Sequence, residues 1–178
     1  MIYLCPMETQ NLILRGCTEA DIPEFARLNS DERVMEFFLK PLSYTETVEF
    51  YGQIQEEFQR CGFSVYAVEE KATHAFIGFV GLHRITFQAD FAPAVEIGWR
   101  LLPEFWGKGY ATEAAIACLD YAKKTLKLKE IYSFTSLPNK QSERVMQKIG
   151  MQRVKEFGHP LVEVSHPLYR HVLYRIEL

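Results

Sequence analysis

Leu101-Leu102-Pro103-Glu104-Phe105-Trp106-Gly107-Lys108-Gly109-Tyr110-Ala111-Thr112-Glu113-Ala114 is the stretch from which the rest of the chain is read. An apolar strand pattern runs into it, and a long amphipathic helix pattern runs out of it. Gly-Lys-Gly falls where that helix begins. The first helical N–H groups have no partner inside a helix, and the aligned peptide dipoles place partial positive charge at that end. Glycines remove the side chains that would hold a ligand away, so a phosphate oxygen can approach the amides directly. Lys108 adds a mobile positive charge. The stretch suits a diphosphate cradle; the plainer reading is a strand-to-helix turn that uses two glycines. The spacing is not that of a P-loop, and a dinucleotide fingerprint would need glycine where Thr112 stands.

Upstream, Val95-Glu96-Ile97-Gly98-Trp99-Arg100-Leu101 reads as a strand, with Val95, Ile97, Trp99 and Leu101 on one face and Glu96, Gly98 and Arg100 on the other. Glu96 thus stands beside a position with no side chain, which leaves room for a substrate. A carboxylate in a partly dry cleft can take a proton from an amine. The alternative is a strand carboxylate paired with Arg84 or Arg100. Before it, Phe63–Val68 and Phe76–Ile85 read as a strand hairpin, with Gly78 and Gly81 marking a bulge or a close backbone approach. His83 on the second strand is either an acid/base or a structural histidine.

Further toward the N-terminus, Thr9–Arg15 alternates as a strand. Thr18 and Asp21 open a helix, and Asp31–Phe38 reads as a second helical piece. Ser43 or Thr45 caps a helix that runs to Gly62. Downstream, Ala111, Ala115, Leu119, Ala122 and Leu126 mark the buried stripe of a helix from Tyr110 to Leu126. Ile131–Thr135 is a strand, and Ser142–Ile149 a short helix with Ser142 as its cap and Gly150 ending it. Gln152–Phe157 and His171–Ile176 are the last strands. The order predicts an α+β domain spanning 1–178, with a mixed, mostly antiparallel sheet flanked by helices.

Composition bounds the function. The chain has 178 residues, is 48% hydrophobic and carries a formal charge of −3, which suits one globular domain and gives no electrostatic case for nucleic acid. The lysines at Lys123-Lys124 and Lys127-Lys129 fit a solvated helix C-terminus. The four cysteines and five histidines show no metal-ligand spacing, so we expect no metal site, and free thiols in a reducing cytoplasm. Met1-Ile2-Tyr3-Leu4-Cys5-Pro6 does not read as a signal peptide, and no apolar run is long enough for a membrane helix.

The glycine turn resembles the phosphate-binding segment of the GNAT acyl-CoA N-acyltransferases, which reads Arg/Gln-x-x-Gly-x-Gly/Ala. Trp106-Gly107-Lys108-Gly109-Tyr110-Ala111 lines up with it, with Trp106 departing from the first position. The run through Thr112-Glu113-Ala114 looks like the RimJ/RimL subgroup, which acetylates ribosomal-protein N-termini. A second anchor is Asn139-Lys140-Gln141-Ser142 followed by Val145–Met151, and the resemblance extends from Glu8 to Leu178.

It implies an N-acetyltransferase that uses acetyl-CoA, monomeric or homodimeric. The acceptor would be a protein N-terminal amine or a small-molecule amine. It implies cofactor contacts from Leu101, Leu102, Trp106, Gly107, Lys108, Gly109, Ala111 and Thr112. It also implies Glu96 as base, Asn139 as a partner of the pantetheine arm and Ser142 as the group that meets the leaving thiolate. Lys148 is either a phosphate contact or a solvated lysine, and Trp106 is expected to pack over the cradle. The competing function is a non-catalytic acyl-CoA-binding sensor. The acceptor pocket is expected in the loops Phe37–Tyr44, Phe87–Pro93 and Gly158–Arg170.

Overall fold

The computed structural model describes residues 6–178; Cys5 and the start of the Met1–Pro6 stretch lie outside the described residues. Eight strands form one sheet: β1 (Met7–Glu8), β2 (Leu12–Arg15), β3 (Val65–Glu70), β4 (Phe76–Arg84), β5 (Val95–Leu101), β6 (Glu130–Ser136), β7 (Gln152–Gly158) and β8 (Arg170–Glu177). Their order is β1-β2-β3-β4-β5-β6-β8-β7. All neighbours are antiparallel except β5 and β6. The sheet is therefore mixed and mostly antiparallel, and its four α-helices make the fold α+β. The helices are α1 (Ile22–Ser30), α2 (Tyr44–Cys61), α3 (Tyr110–Lys124) and α4 (Lys140–Lys148).

Helices α1 and α2 cover the sheet face that carries Phe79 and Arg100. Phe25 of α1 stacks on Phe79 at 5.7 Å, and Phe50 of α2 meets the same ring at 5.6 Å. Helix α4 lies on the opposite face, where Tyr174 of β8 donates to Glu143 at 3.1 Å. Helix α3 packs beside it, against β4 and β5. Its small residues Ala114, Ala115, Cys118 and Ala122 are fully buried, which lets it sit close to the sheet. Cys17, Cys61 and Cys118 are free thiols.

The glycines of β4 mark close backbone approaches. A Cβ on Gly81 would lie 2.2 Å from Val65 Cα, and one on Gly78, whose φ is +142°, would lie 2.2 Å from the Arg100 carbonyl oxygen. The β3–β4 ladder shifts register beside this point, at Val68/Glu69.

Two expectations need correction. Asp31–Phe38 is a series of turns, not a helix. Asp31 Oδ1 accepts the backbone N–H of Arg33 at 2.9 Å while its carboxylate also holds the Arg33 guanidinium, an Asx turn that competes with helix. The last helix begins at Lys140, and its cap is Asn139, not Ser142. Elsewhere Ser43 caps α2 with a reciprocal bond to Glu46, and Gly62 closes it in the left-handed conformation.

Candidate active site

The parallel pair β5 and β6 is joined at a single register position, Glu96 opposite Tyr132. One residue on, Ser133 Oγ donates to the Ile97 carbonyl at 2.9 Å. Beyond it, from Gly98 to Leu101, β5 has no ladder partner on that side, so the strands splay. Both run the same way, and each feeds a helix at its C-terminal end: β5 leads to α3, and β6 to α4. The gap therefore opens toward two helix N-termini. Carboxyl ends of parallel strands beside helix N-termini favour ligands with negative charge.

The α3 end is uncapped. Gly109 is its N-cap, in the left-handed conformation with φ +83°, and among the described residues no side chain caps the first-turn N–H groups. Gly107 is left-handed too, and a Cβ on either glycine would meet nothing within 4 Å. The space above the turn is open, as a diphosphate would require, and Ala111 and Thr112 lie in the first helical turn behind it. Two side chains of its first turn pin this end of α3: Tyr110 donates to Glu70 at 2.7 Å, and Glu113 accepts from Thr9 Oγ1 at 2.6 Å and from the Asn11 backbone at 2.7 Å. Lys108 Nζ lies 4.9 Å from the Phe105 ring centre and 3.8 Å from Glu70. A cavity of about 270 Å³ between Tyr110, Glu70 and Lys71 flanks the cradle at the end of the sheet away from Glu96.

The neighbouring expectations divide. Trp106 does not simply cover the turn: its indole N–H donates to the Leu101 carbonyl at 2.7 Å and ties the loop to the strand it leaves. The Leu101 and Leu102 side chains are buried in the core, and Leu102 N–H donates to Ile77; their side chains do not face a ligand. Asn139 Oδ1 accepts the Ser142 N–H at 3.1 Å. The Ser142 hydroxyl makes no hydrogen bond among the described residues and sits in the first turn of α4. Lys148 is exposed at the far end of that helix, six residues and ~9 Å along its axis, where its charge complements the helix C-terminus.

Glu96 and His83 are directly opposite each other on β5 and β4. Glu96 pairs with neither arginine considered for it: Arg84 Nε donates to Cys61 Sγ, and Arg100 Nη1 donates to Asn29 Oδ1. Some of Glu96 still touches solvent, but protein surrounds its carboxyl on most sides. Burial pushes it up to about 7, with the His83 charge pulling down and that of Glu57 pushing further up. A Cβ on Gly98 would meet nothing within 4 Å, so there is free space beside the carboxylate.

Glu57 of α2 lies behind this pair. Its carboxylate takes the His83 ring nitrogen Nδ1 at 2.7 Å, Ser64 Oγ at 2.7 Å and the Arg84 backbone N–H at 3.0 Å. Burial alone would raise Glu57, but these bonds outweigh it and hold the group below the ordinary glutamate range. On the far side of the gap the same sheet face carries aromatic and imidazole rings, with Phe87 4.7 Å from His159 and His159 4.9 Å from His171. Loops 87–93 and 158–170 contribute rings to this wall.

Sequence reasoning placed Glu96, the glycine turn and the Asn139–Ser142 corner, and the fold brings all three to one gap. It missed Glu57 and the Glu70 and Glu113 anchors. Their only sequence trace is an acid on a helix or, for Glu70, at a strand end, which looks the same whether it is solvated or bonded. Among the described residues no group of histidine, cysteine, aspartate and glutamate side chains is arranged to hold a metal ion, and no helix is long and apolar enough to cross a membrane.

Residues 11–152 match the family model described as Acetyltransferase (GNAT) domain. The uncharacterized protein YkkB of Bacillus subtilis (strain 168) is 30% identical over 148 residues, covering 82% of this chain and 85% of that protein. The uncharacterized N-acetyltransferase YoaA of the same organism is 28% identical, covering 83% and 82%. A spermidine N(1)-acetyltransferase of Escherichia coli (strain K12) is 25% identical, covering 82% and 75%. Among solved structures, an acetyltransferase from Agrobacterium tumefaciens str. C58 superposes with a TM-score of 0.79 at 26% identity, over 100% of this chain and 97% of that one. RimL, a ribosomal L7/L12 alpha-N-protein acetyltransferase, superposes at 0.81 over 97% and 98%, but at 16% identity, a likeness of fold alone.

Proposed function

The chain belongs to the GNAT acetyltransferase family, and from that premise we propose that it transfers an acetyl group from acetyl-CoA to a primary amine by direct attack of the amine on the thioester. The observation that carries this reading is the gap between β5 and β6, with its mouth at two helix N-termini and Glu96 at its apex. The thioester supplies an activated acyl carbon and a thiolate leaving group. The residues supply binding, orientation and proton handling.

In this reading, amides at the start of α3 hold the diphosphate, with Gly107 and Gly109 giving access and Lys108 adding charge. The unpaired stretch of β5 from Gly98 to Leu101 offers backbone donors and acceptors to the amide-bearing pantetheine arm, as an edge strand does to a peptide. The free amide nitrogen of Asn139 is placed to bond that arm while its oxygen caps α4. An acceptor reaches the gap as an ammonium ion. Glu96 takes its proton, directly or through one water, and an affinity near neutral pH suits a base that must accept and then release a proton. The Ser142 hydroxyl donates to sulfur as the carbon–sulfur bond breaks, an interaction that strengthens as charge builds there.

The acceptor is a protein N-terminus, as in the RimJ/RimL subgroup, or a small-molecule amine, and the free thiols fit a cytoplasmic setting. A screen of amines and N-terminal peptides for free-thiol release from acetyl-CoA tests the activity. Turnover with at least one amine is the expected result. Acetyl-CoA binding without turnover on any amine would favour the non-catalytic sensor.

A further inference from the structure

Arg100 stands apart from the other arginines. Arg15 and Arg175, the other two that are not exposed, each hold carboxylates: Arg15 bonds Asp21 at 2.8 Å and Glu69 at 3.1 Å, and Arg175 bonds Glu177 at 3.0 Å. Arg100 has no carboxylate partner among the described residues. Its guanidinium lies between two rings, 4.2 Å from the Phe38 centroid and 5.1 Å from that of Phe79. One hydrogen bond is made, from Nη1 to Asn29 Oδ1 at 2.5 Å. Nε is buried and has no hydrogen-bond partner among the described residues. Burial lowers the group to about 10, so at neutral pH it stays charged. An enclosed charge without a counter-charge is costly, and structures normally pair it.

The free edge is chemically specific. With Nη1 committed to Asn29 and Nε closed off by the surrounding protein, Nη2 is the guanidinium nitrogen left over, and its N–H groups can give a carboxylate a charge-assisted hydrogen bond. Arg100 shares its sheet face with Gly98 and Glu96, and Gly98 leaves open space between them. Phe38, in the turns between α1 and α2, is 44% exposed, so the cover over the guanidinium is a surface ring. The Cα atoms of Glu96 and Arg100 are about 13 Å apart along the strand. Side chains lean over part of that length, which separates an amine at Glu96 from an anion at Arg100 by several bonds.

We propose that Arg100 is the recognition point for a carboxylate carried by the acceptor, so that the preferred acceptors are amines with a carboxylate several bonds from the reacting nitrogen. This rests on the acetyl-transfer reading and narrows its substrate class. It fixes specificity at a residue that takes no part in the proton transfers.

The test compares ω-amino carboxylates of increasing chain length with the matched ω-amino amides, in the native protein, by thiol release from acetyl-CoA. A bound carboxylate gains charge-assisted hydrogen bonds that the amide lacks, so kcat/KM should favour the acid by roughly 10–100-fold at the best length. In Arg100→Gln the acid-to-amide ratio should fall toward one. Phe38→Ala keeps the charge but opens it to water, and should weaken the preference several-fold, which covers the case in which Arg100→Gln does not fold. Equal use of acids and amides by the active native protein, or an unchanged ratio in either folded variant, would overturn the assignment. Failure to bind acetyl-CoA or to acetylate any amine would instead sink the acetyl-transfer reading.

Discussion

Asn139 Oδ1 accepts the backbone N–H of Ser142 at 3.1 Å, and this one bond separates two roles that the sequence superimposes on Ser142. The cap of α4 is Asn139. The Ser142 hydroxyl has no structural bond to lose among the described residues, and it lies in the first turn of α4, the helix that begins at the mouth of the gap. A residue whose side chain holds nothing in the resting protein is available to a group that becomes charged only during reaction.

Stability and turnover should therefore come apart at this corner. Asn139→Ala is expected to cost about 1 kcal/mol of stability, the usual worth of a cap. Ser142→Ala should stay within about 0.5 kcal/mol while lowering kcat without an equal loss of acetyl-CoA affinity. A thioester with a more acidic thiol needs less help and should partly restore the rate. Denaturant melts and steady-state kinetics on both variants check this. A Ser142→Ala protein with normal kcat would remove the hydroxyl from the chemistry.

Gly109→Val tests the cradle. No protein atom lies where the new Cβ would go, so the change does not create a clash inside the fold. It does force a branched residue to φ +83°, which costs about 1–2 kcal/mol of stability, and it places a side chain over the first amides of α3. Calorimetry on the folded variant should show strongly weakened coenzyme A binding. Native affinity would mean that the diphosphate sits elsewhere.

The sequence makes the sheet legible because its signals are local. Strand alternation puts Glu96, Gly98 and Arg100 on one face, and Gly78 and Gly81 report close contacts that the fold then contains. Asp31–Phe38 misleads because its apolar spacing suits a helix, whereas the Asp31 side chain draws the backbone into a turn. The site is legible only where chemistry needs an unusual residue, as with glycine at the helix start. Glu57 is invisible because its partners His83 and the Arg84 backbone are distant in sequence. The free edge of Arg100 is invisible for a related reason: only the folded chain shows that nothing answers its charge.

Glu96 ties activity to pH with a definite sign. Its carboxyl is raised to about 7, and only the ionised form can act as base, so kcat/KM should rise through about pH 7 toward a plateau. Stability moves the other way. Between the ordinary glutamate range and about 7 the folded state holds a proton that the unfolded state has lost, so stability falls as pH rises across that window. Glu96→Gln should lower turnover about 10²–10⁴-fold. Above pH 7 the same variant should be more stable than the native protein, by on the order of 1–2 kcal/mol. Rate profiles and melting curves over the same pH range test both halves. A glutamine variant with native turnover at every pH would exclude the base role.

The groups around Glu96 give a last, opposed pair of shifts. Besides burial, the Glu57 charge on α2 pushes its affinity up, and the His83 charge on β4 pulls it down. Glu57→Gln removes the first influence while its single amide oxygen can still accept from Ser64 or from the Arg84 backbone, which bond different oxygens of the carboxylate. The acid limb of the rate profile should move to lower pH. His83→Gln removes the second influence, and the limb should move to higher pH. A merely structural role for the Glu57–His83 contact predicts lower melting temperatures in both variants with the limb unmoved. The sign of the Glu57 shift separates the readings, because loss of stability alone cannot lower the pH at which Glu96 ionises. An acid limb that moves upward in Glu57→Gln would mean that the carboxylate acts on Glu96 through His83 and not by its own charge.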